Sequence, residues 1–219
     1  MRLQSAIFDM DGTLLDSMPT WRELGPTFLK EAGISATPEQ DRMLHTLADC
    51  DVIPYLREVC GLPWSQQEII DQIIQRMETF YSSQVRPKPG LEKFLSILKM
   101  EGVWMYVATS TDRRLAEAAL RCAGIDGYFR GLITCADVGA SKEDSPAVYE
   151  SAMRRLQSNK RDTVIFEDSL TAIRTAKAAG FRVAGVYNPA AEADQAAIQA
   201  EADYYLRSFE EMFDATALG

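Results

Sequence analysis

From residue 86 onward, short apolar runs alternate with segments of helical periodicity. This rhythm constrains the fold more than any other feature of the chain. Strands separated by helices pair in parallel and need helices on both faces of the sheet. Residues 103–108, 132–135, 163–166 and 182–186 read as strands, and the unbroken apolar run 103–108 predicts burial on both sides. Leu91, Phe94, Leu95 and Leu98 mark one helical face, and helices are predicted over 112–123, closed by Gly124, and 170–179, closed by Gly180. A further helix is predicted over 145–156, with Ser145 as its N-cap and Pro146 in its first turn. The Ala-rich stretch 190–202 carries charges at helical spacing and predicts a surface helix.

The first strand, Ser5-Ala6-Ile7-Phe8, stands apart from the others. Between it and residue 86 the apolar spacing is helical throughout, broken by Gly33, Pro38, Pro54 and Gly61-Leu62-Pro63. The expected organisation is a doubly wound α/β core of residues 1–14 and 86–219, interrupted by an all-helical insertion, 15–85. Trp21, Trp64 and Tyr81 are expected in the core of that insertion. A chain of 219 residues accommodates this two-part plan, and 47% hydrophobic content builds a core without disulfides.

The net charge of −9 argues against general affinity for nucleic acid or an anionic membrane, and no run of Lys or Arg exceeds a pair. No apolar stretch approaches the length of a membrane span or a signal peptide core. Cys50, Cys60, Cys122 and Cys135 lack CxxC spacing and read as free thiols in a reducing compartment, which makes the expected location cytoplasmic. A monomer is the default expectation.

Polar residues gather where the strands end. Asp9 and Asp11 follow the first, Thr109 and Ser110 follow 103–108, and Glu167 and Asp168 follow 163–166. In open α/β sheets ligands bind at the carboxyl ends of the strands. Four carboxylates at one rim repel one another unless a cation lies among them, and carboxylates, carbonyls and water suit Mg²⁺, which in turn favours phosphate oxygens. Asp9 can attack phosphorus, and Asp11 can protonate the leaving oxygen and then activate water. Thr109 and Ser110 supply hydroxyl and backbone donors at a helix start, a place suited to an anion. Lys142 can pair with both phosphate and nucleophile.

Asp9-Met10-Asp11-Gly12-Thr13-Leu14-Leu15-Asp16-Ser17 resembles the first motif of the haloacid dehalogenase superfamily. Val107-Ala108-Thr109-Ser110 is similar to the second, Lys142 with Pro146 and Tyr149 to the third, and Phe166-Glu167-Asp168-Ser169 to the fourth. The motifs come in the family's order across the chain. Lys142 is followed by proline one residue later than is usual, and Ala172 stands in a place often taken by glycine.

The resemblance implies a Rossmann-like core, and a helical cap formed by the insertion. It implies Asp9 as nucleophile and metal ligand, and Asp11 as acid/base and ligand through its carbonyl. Thr109, Ser110 and Lys142 would hold phosphate, and Asp168 with Glu167 would complete the Mg²⁺ site. The subgroup is the one containing β-phosphoglucomutase, and the implied activity is hydrolysis of a small phosphorylated metabolite.

A phosphosugar mutase is the alternative. Known mutases carry a cap histidine where Trp21 stands here, and residues 45–51 contain no arginine. Both absences favour hydrolysis. A dehalogenase would lack Asp11, and a phosphonate-cleaving relative needs a cap lysine, for which Lys30 is the only candidate. A non-catalytic sensor predicts decayed motifs, and these are intact. His45, the only histidine, reads as a helix-surface or packing residue, with substrate contact as the alternative. Arg22, Arg42, Arg57 and Arg76 are candidates for a second anionic group of the substrate.

Overall fold

The computed structural model describes residues 3–44 and 49–213; His45 and the side chain of Cys50 lie outside the described residues. The chain divides into two compact units, Met1–Asp16 with Tyr81–Gly219, and Ser17–Phe80.

The first unit holds a six-stranded parallel sheet. Its strands are β1 (Ser5–Phe8), β2 (Trp104–Thr109), β3 (Leu132–Thr134), β4 (Thr163–Glu167), β5 (Arg182–Val186) and β6 (Tyr204–Leu206), in the order β3-β2-β1-β4-β5-β6. β1 and β4 are buried along their whole length, which is why they read as unbroken apolar runs. Phe8 is in register with Val107 on one side and Phe166 on the other. Alternation sends Phe8 and Phe166 to one face, where their rings stack with centroids 4.4 Å apart beside Phe94. Ile7, Ile165 and Val183 point to the other face, into a core with Val148, Tyr149, Ile173 and Ile198.

Helices α5 (Leu91–Met100), α6 (Arg113–Cys122), α8 (Ala147–Arg155) and α9 (Leu170–Ala178) match the predicted segments. Asp112 caps α6 by accepting from the backbone N–H groups of Arg114 and Leu115.

The structure corrects three local expectations. Pro146 is itself the N-cap of α8, so the helix starts after the proline; Ser145 Oγ accepts the Ala147 N–H at 3.3 Å. The predicted strand 132–135 ends at Thr134 because Thr134 and Asp137 form a reciprocal cap that opens the short helix α7 (Cys135–Val138). The surface helix expected over 190–202 is a 3₁₀ segment, Pro189–Asp194, followed by α10 (Gln195–Glu201), and Ile198 is buried. A side chain at Gly185 would meet Ile198 Cγ2 at 2.6 Å, so glycine lets α10 lie directly on β5. The edge strand β6 was not foreseen.

The second unit contains α1 (Met18–Glu31), α2 (Pro38–Leu44) and α3 (Asp49–Glu58), with most of α4 (Gln66–Ser83). Phe28 packs on Trp64 at 5.5 Å, and the Arg76 guanidinium lies over Phe28 while binding both oxygens of Glu31 at 2.7 Å. Tyr81, expected in the core of the insertion, instead belongs to the first unit, where it is fully buried. No described helix is long and apolar enough to cross a membrane.

Candidate active site

The strand order reverses between β1 and β4, and crevices for ligands form at such switch points. Asp9 emerges there directly after β1, fixed by its N–H donating to the Phe166 carbonyl at 2.9 Å. Glu167 ends β4, and Asp168 follows it. The three carboxylates each bring an oxygen within 4.8 Å of the others, and all three residues are buried.

Lys142 compensates part of this charge. Its ammonium reaches Asp9 Oδ1 at 2.5 Å and the two oxygens of Glu167 at 3.2 and 3.1 Å. Tyr149 donates to Glu167 Oε2 at 2.8 Å, and the N–H groups of Asp168 and Ser169 donate to Glu167 Oε1. The extra residue between Lys142 and Pro146 therefore does not prevent the ammonium from reaching Asp9.

Asp168 is held separately. Thr13 Oγ1 donates to its Oδ1 at 2.8 Å, and Asn188 Nδ2 to its Oδ2 at 2.6 Å. Gly12 makes this possible. Its φ is +82°, and an added Cβ would lie 2.3 Å from Asp168 Oδ2 and 2.5 Å from Asn188 Nδ2.

Burial, with the charge of Glu167 second, pushes the Asp9 carboxyl well above the usual carboxylate range; Lys142 opposes the shift. Burial also raises Glu167. Lys142 is pulled down by burial, but Asp9 and Glu167 outweigh this and hold it charged, well above the ordinary lysine range. The Lys142 ammonium thus contacts two of the three carboxyl groups, and the charges of Asp168 and Asp9 also act on the half-buried Lys88 ammonium. Asp9 Oδ2 is buried with no hydrogen-bond partner. An orphaned carboxylate oxygen beside two more acids is a chemical fit for a hard cation with oxygen ligands.

The Asp11 carboxylate meets two hydroxyl groups. Its Oδ1 accepts from the Tyr81 hydroxyl at 2.5 Å and its Oδ2 from the Thr111 hydroxyl at 2.6 Å. Thr109 is buried at the end of β2, and its Oγ1 accepts the Thr111 N–H. Ser110 is exposed, with its Oγ 3.4 Å from Cys135 Sγ.

The sequence of residues 6–186 matches the haloacid dehalogenase-like hydrolase family. The chain belongs to that family. Among relatives of this hydrolase, the phosphorylated carbohydrates phosphatase of Thermotoga maritima is 28% identical over 185 residues, covering 84% of this chain and 85% of that protein. Hexitol phosphatase B of Escherichia coli is 28% identical over 224 residues, covering 100% of this chain and 98% of that protein. The crystal structure of CbbY from Rhodobacter sphaeroides in complex with phosphate superposes with a TM-score of 0.78 at 25% identity, covering 96% of each chain.

Five residues of this haloacid dehalogenase-like site escaped sequence reasoning: Thr111, Tyr81, Thr13 as a partner of Asp168, Asn188 and Lys88. The Lys88 ammonium donates to the Tyr187 carbonyl at 2.6 Å, next to Asn188, and burial lowers its pKa. Asn188 had one legible signal, a polar residue two positions after the strand region 182–186 and immediately before Pro189. Tyr81 had none, since it lies in a helix 70 positions from Asp11. In the helical unit, Arg76 is engaged with Glu31, and the Nε groups of Arg57 and Arg42 donate to the backbone at Trp64 and Pro38, each at 3.2 Å.

Proposed function

We propose that this hydrolase is a Mg²⁺-dependent phosphatase that cleaves a small phosphomonoester through an aspartyl phosphate on Asp9. The observation that carries the reading is Asp9 itself. It is a buried carboxylate at the switch point, with one oxygen on Lys142 and the other unpartnered beside Asp168. Relatives named phosphorylated carbohydrates phosphatase and hexitol phosphatase B support a phosphorylated metabolite as substrate.

Asp9, Asp168 and the Asp11 carbonyl would hold the cation, with Glu167 adding charge behind Lys142. Bound there, Mg²⁺ would neutralise charge on the phosphoryl oxygens. Lys142, Thr109 and Ser110 supply donors to the transferring group. In the first step an Asp9 oxygen bonds to phosphorus, the ester P–O bond breaks, and Asp11 gives a proton to the departing alkoxide. In the second, water attacks phosphorus, Asp11 takes its proton, and the bond to Asp9 breaks to release phosphate. The helical unit, Ser17–Phe80, is assigned the role of the family's cap, which selects the substrate. A mutase is disfavoured by Trp21, which stands where a mutase's cap histidine would be.

The test is a phosphate-release screen over metabolite phosphates with Mg²⁺. Wild type should act on one class of compound, while Asp9→Asn is folded and inactive. Near wild-type turnover by Asp9→Asn would sink the covalent mechanism, and undiminished steady-state turnover in excess EDTA would sink the role of the metal.

A further inference from the structure

Asp11 has the central proton-transfer role in the reading above, and its carboxylate accepts one hydroxyl hydrogen bond on each oxygen. It is gripped by two hydroxyls from outside the four motifs' central positions. Tyr81 reaches it from near the C-terminal end of α4 at 2.5 Å, and Thr111 from the loop after β2 at 2.6 Å. The two donors take one carboxylate oxygen each, so together they fix both the position and the plane of the group. Tyr81 is fully buried, while Asp11 and Thr111 are half-buried. All three lie in the first unit.

We propose that Tyr81 and Thr111 are positioning residues that together orient the Asp11 carboxyl group for proton transfer; this rests on the phosphatase reading and adds to it. The choice of hydroxyls is chemically apt. A residue that is first an acid and then a base alternates between a form with its own O–H and a form that only accepts. Each carboxyl oxygen keeps a lone pair for its hydroxyl donor while the acid proton points to the leaving oxygen, so both contacts persist through the cycle. A neutral hydroxyl also adds no charge that would favour the carboxylate, as a lysine or arginine would. The fork also costs little to hold, because the tyrosine ring has few rotatable bonds and is locked by burial.

A group that donates a proton to the leaving oxygen matters most when that oxygen is strongly basic. The test therefore compares β-glycerophosphate, whose alkoxide needs protonation, with p-nitrophenyl phosphate, whose phenolate departs without it. Tyr81→Phe removes one oxygen and leaves the buried ring. It should lower kcat/KM on β-glycerophosphate by about tenfold, the loss of one hydrogen bond to a charged group. On p-nitrophenyl phosphate the change should be less than about twofold. Thr111→Val should show the same contrast and serves if Tyr81→Phe does not fold. In an Asp11→Asn background, Tyr81→Phe should have no further effect, because the group it orients no longer transfers protons.

Equal losses on both compounds, or a further loss in the Asp11→Asn background, would overturn the proposal and leave Tyr81 as packing. If Asp11→Asn alone keeps full activity on β-glycerophosphate, the acid/base reading fails first, and the inference falls with it. If β-glycerophosphate is not turned over, the alkyl phosphate selected by the screen above takes its place. A wild type that releases phosphate from nothing in that screen counts against the phosphatase reading, with the same consequence.

Discussion

Lys142→Met tests the electrostatics of the site most directly. The Lys142 side chain is 9% exposed and meets Asp9 at 2.5 Å and Glu167 at 3.1 Å. Methionine fills a similar volume but leaves the buried carboxyl groups of Asp9 and Glu167 without the ammonium that binds them both. Removing one partner of a buried ion pair costs on the order of 3–5 kcal/mol, because the stranded charge stays out of water. For a chain of this size about 1 kcal/mol moves Tm by roughly 2–4 °C, so the expected loss is roughly 6–20 °C in EDTA. Mg²⁺ should restore more in the variant than in wild type, because a cation among the acids replaces part of the missing charge. Saturation at about 100 times the dissociation constant is worth about 2.7 kcal/mol by mass action alone. The assay is thermal melting of both proteins with EDTA and with a Mg²⁺ titration. A variant melting within about 2 °C of wild type in EDTA would show that Lys142 does not balance buried charge, and would refute the reasoning.

Gly12→Ala should weaken Mg²⁺ binding by at least about tenfold and lower stability by about 1–3 kcal/mol, since the new Cβ displaces Asp168 and Asn188 and the backbone is left-handed. Calorimetric titration with Mg²⁺ checks the first claim, and unchanged affinity would mean Asp168 is not a ligand. The raised pKa of Asp9 also carries a pH signature. A carboxyl raised in the folded state favours folding below its ordinary value of 3.8, and that contribution is lost as pH rises through the folded value. In EDTA, wild type should therefore lose stability relative to Asp9→Asn as pH rises from about 4 toward neutrality. Parallel Tm-against-pH curves for the two proteins would contradict this. Lys142, also raised, holds its charge across that range and does not reverse the sign.

The strands that carry the site were legible because they are buried on both faces. Continuous apolar runs ending in Asp9, Thr109 and Glu167 announce both the strand and the residue at its carboxyl end. The parallel sheet follows from the intervening helices, and the meeting of Asp9, Glu167 and Asp168 follows from the sheet. β6 was not legible, because a three-residue edge strand preceded by Ala202-Asp203 has too short a pattern to separate from a loop. Pro146 was misplaced because proline is acceptable both as a cap and in a first turn, and only the geometry of α8 decides between them.

Chemical type was thus written in the sequence: which acids, which lysine and which hydroxyls gather at strand ends, and in what order. Direction was not. That Lys142 spans Asp9 and Glu167, that Asp168 is steered by Thr13 and Asn188, and that Asp11 turns to Tyr81 and Thr111 are facts of packing. Residue type and local periodicity fix what a side chain can do. Which partner it meets across 70 or 155 positions depends on how the whole chain closes around it.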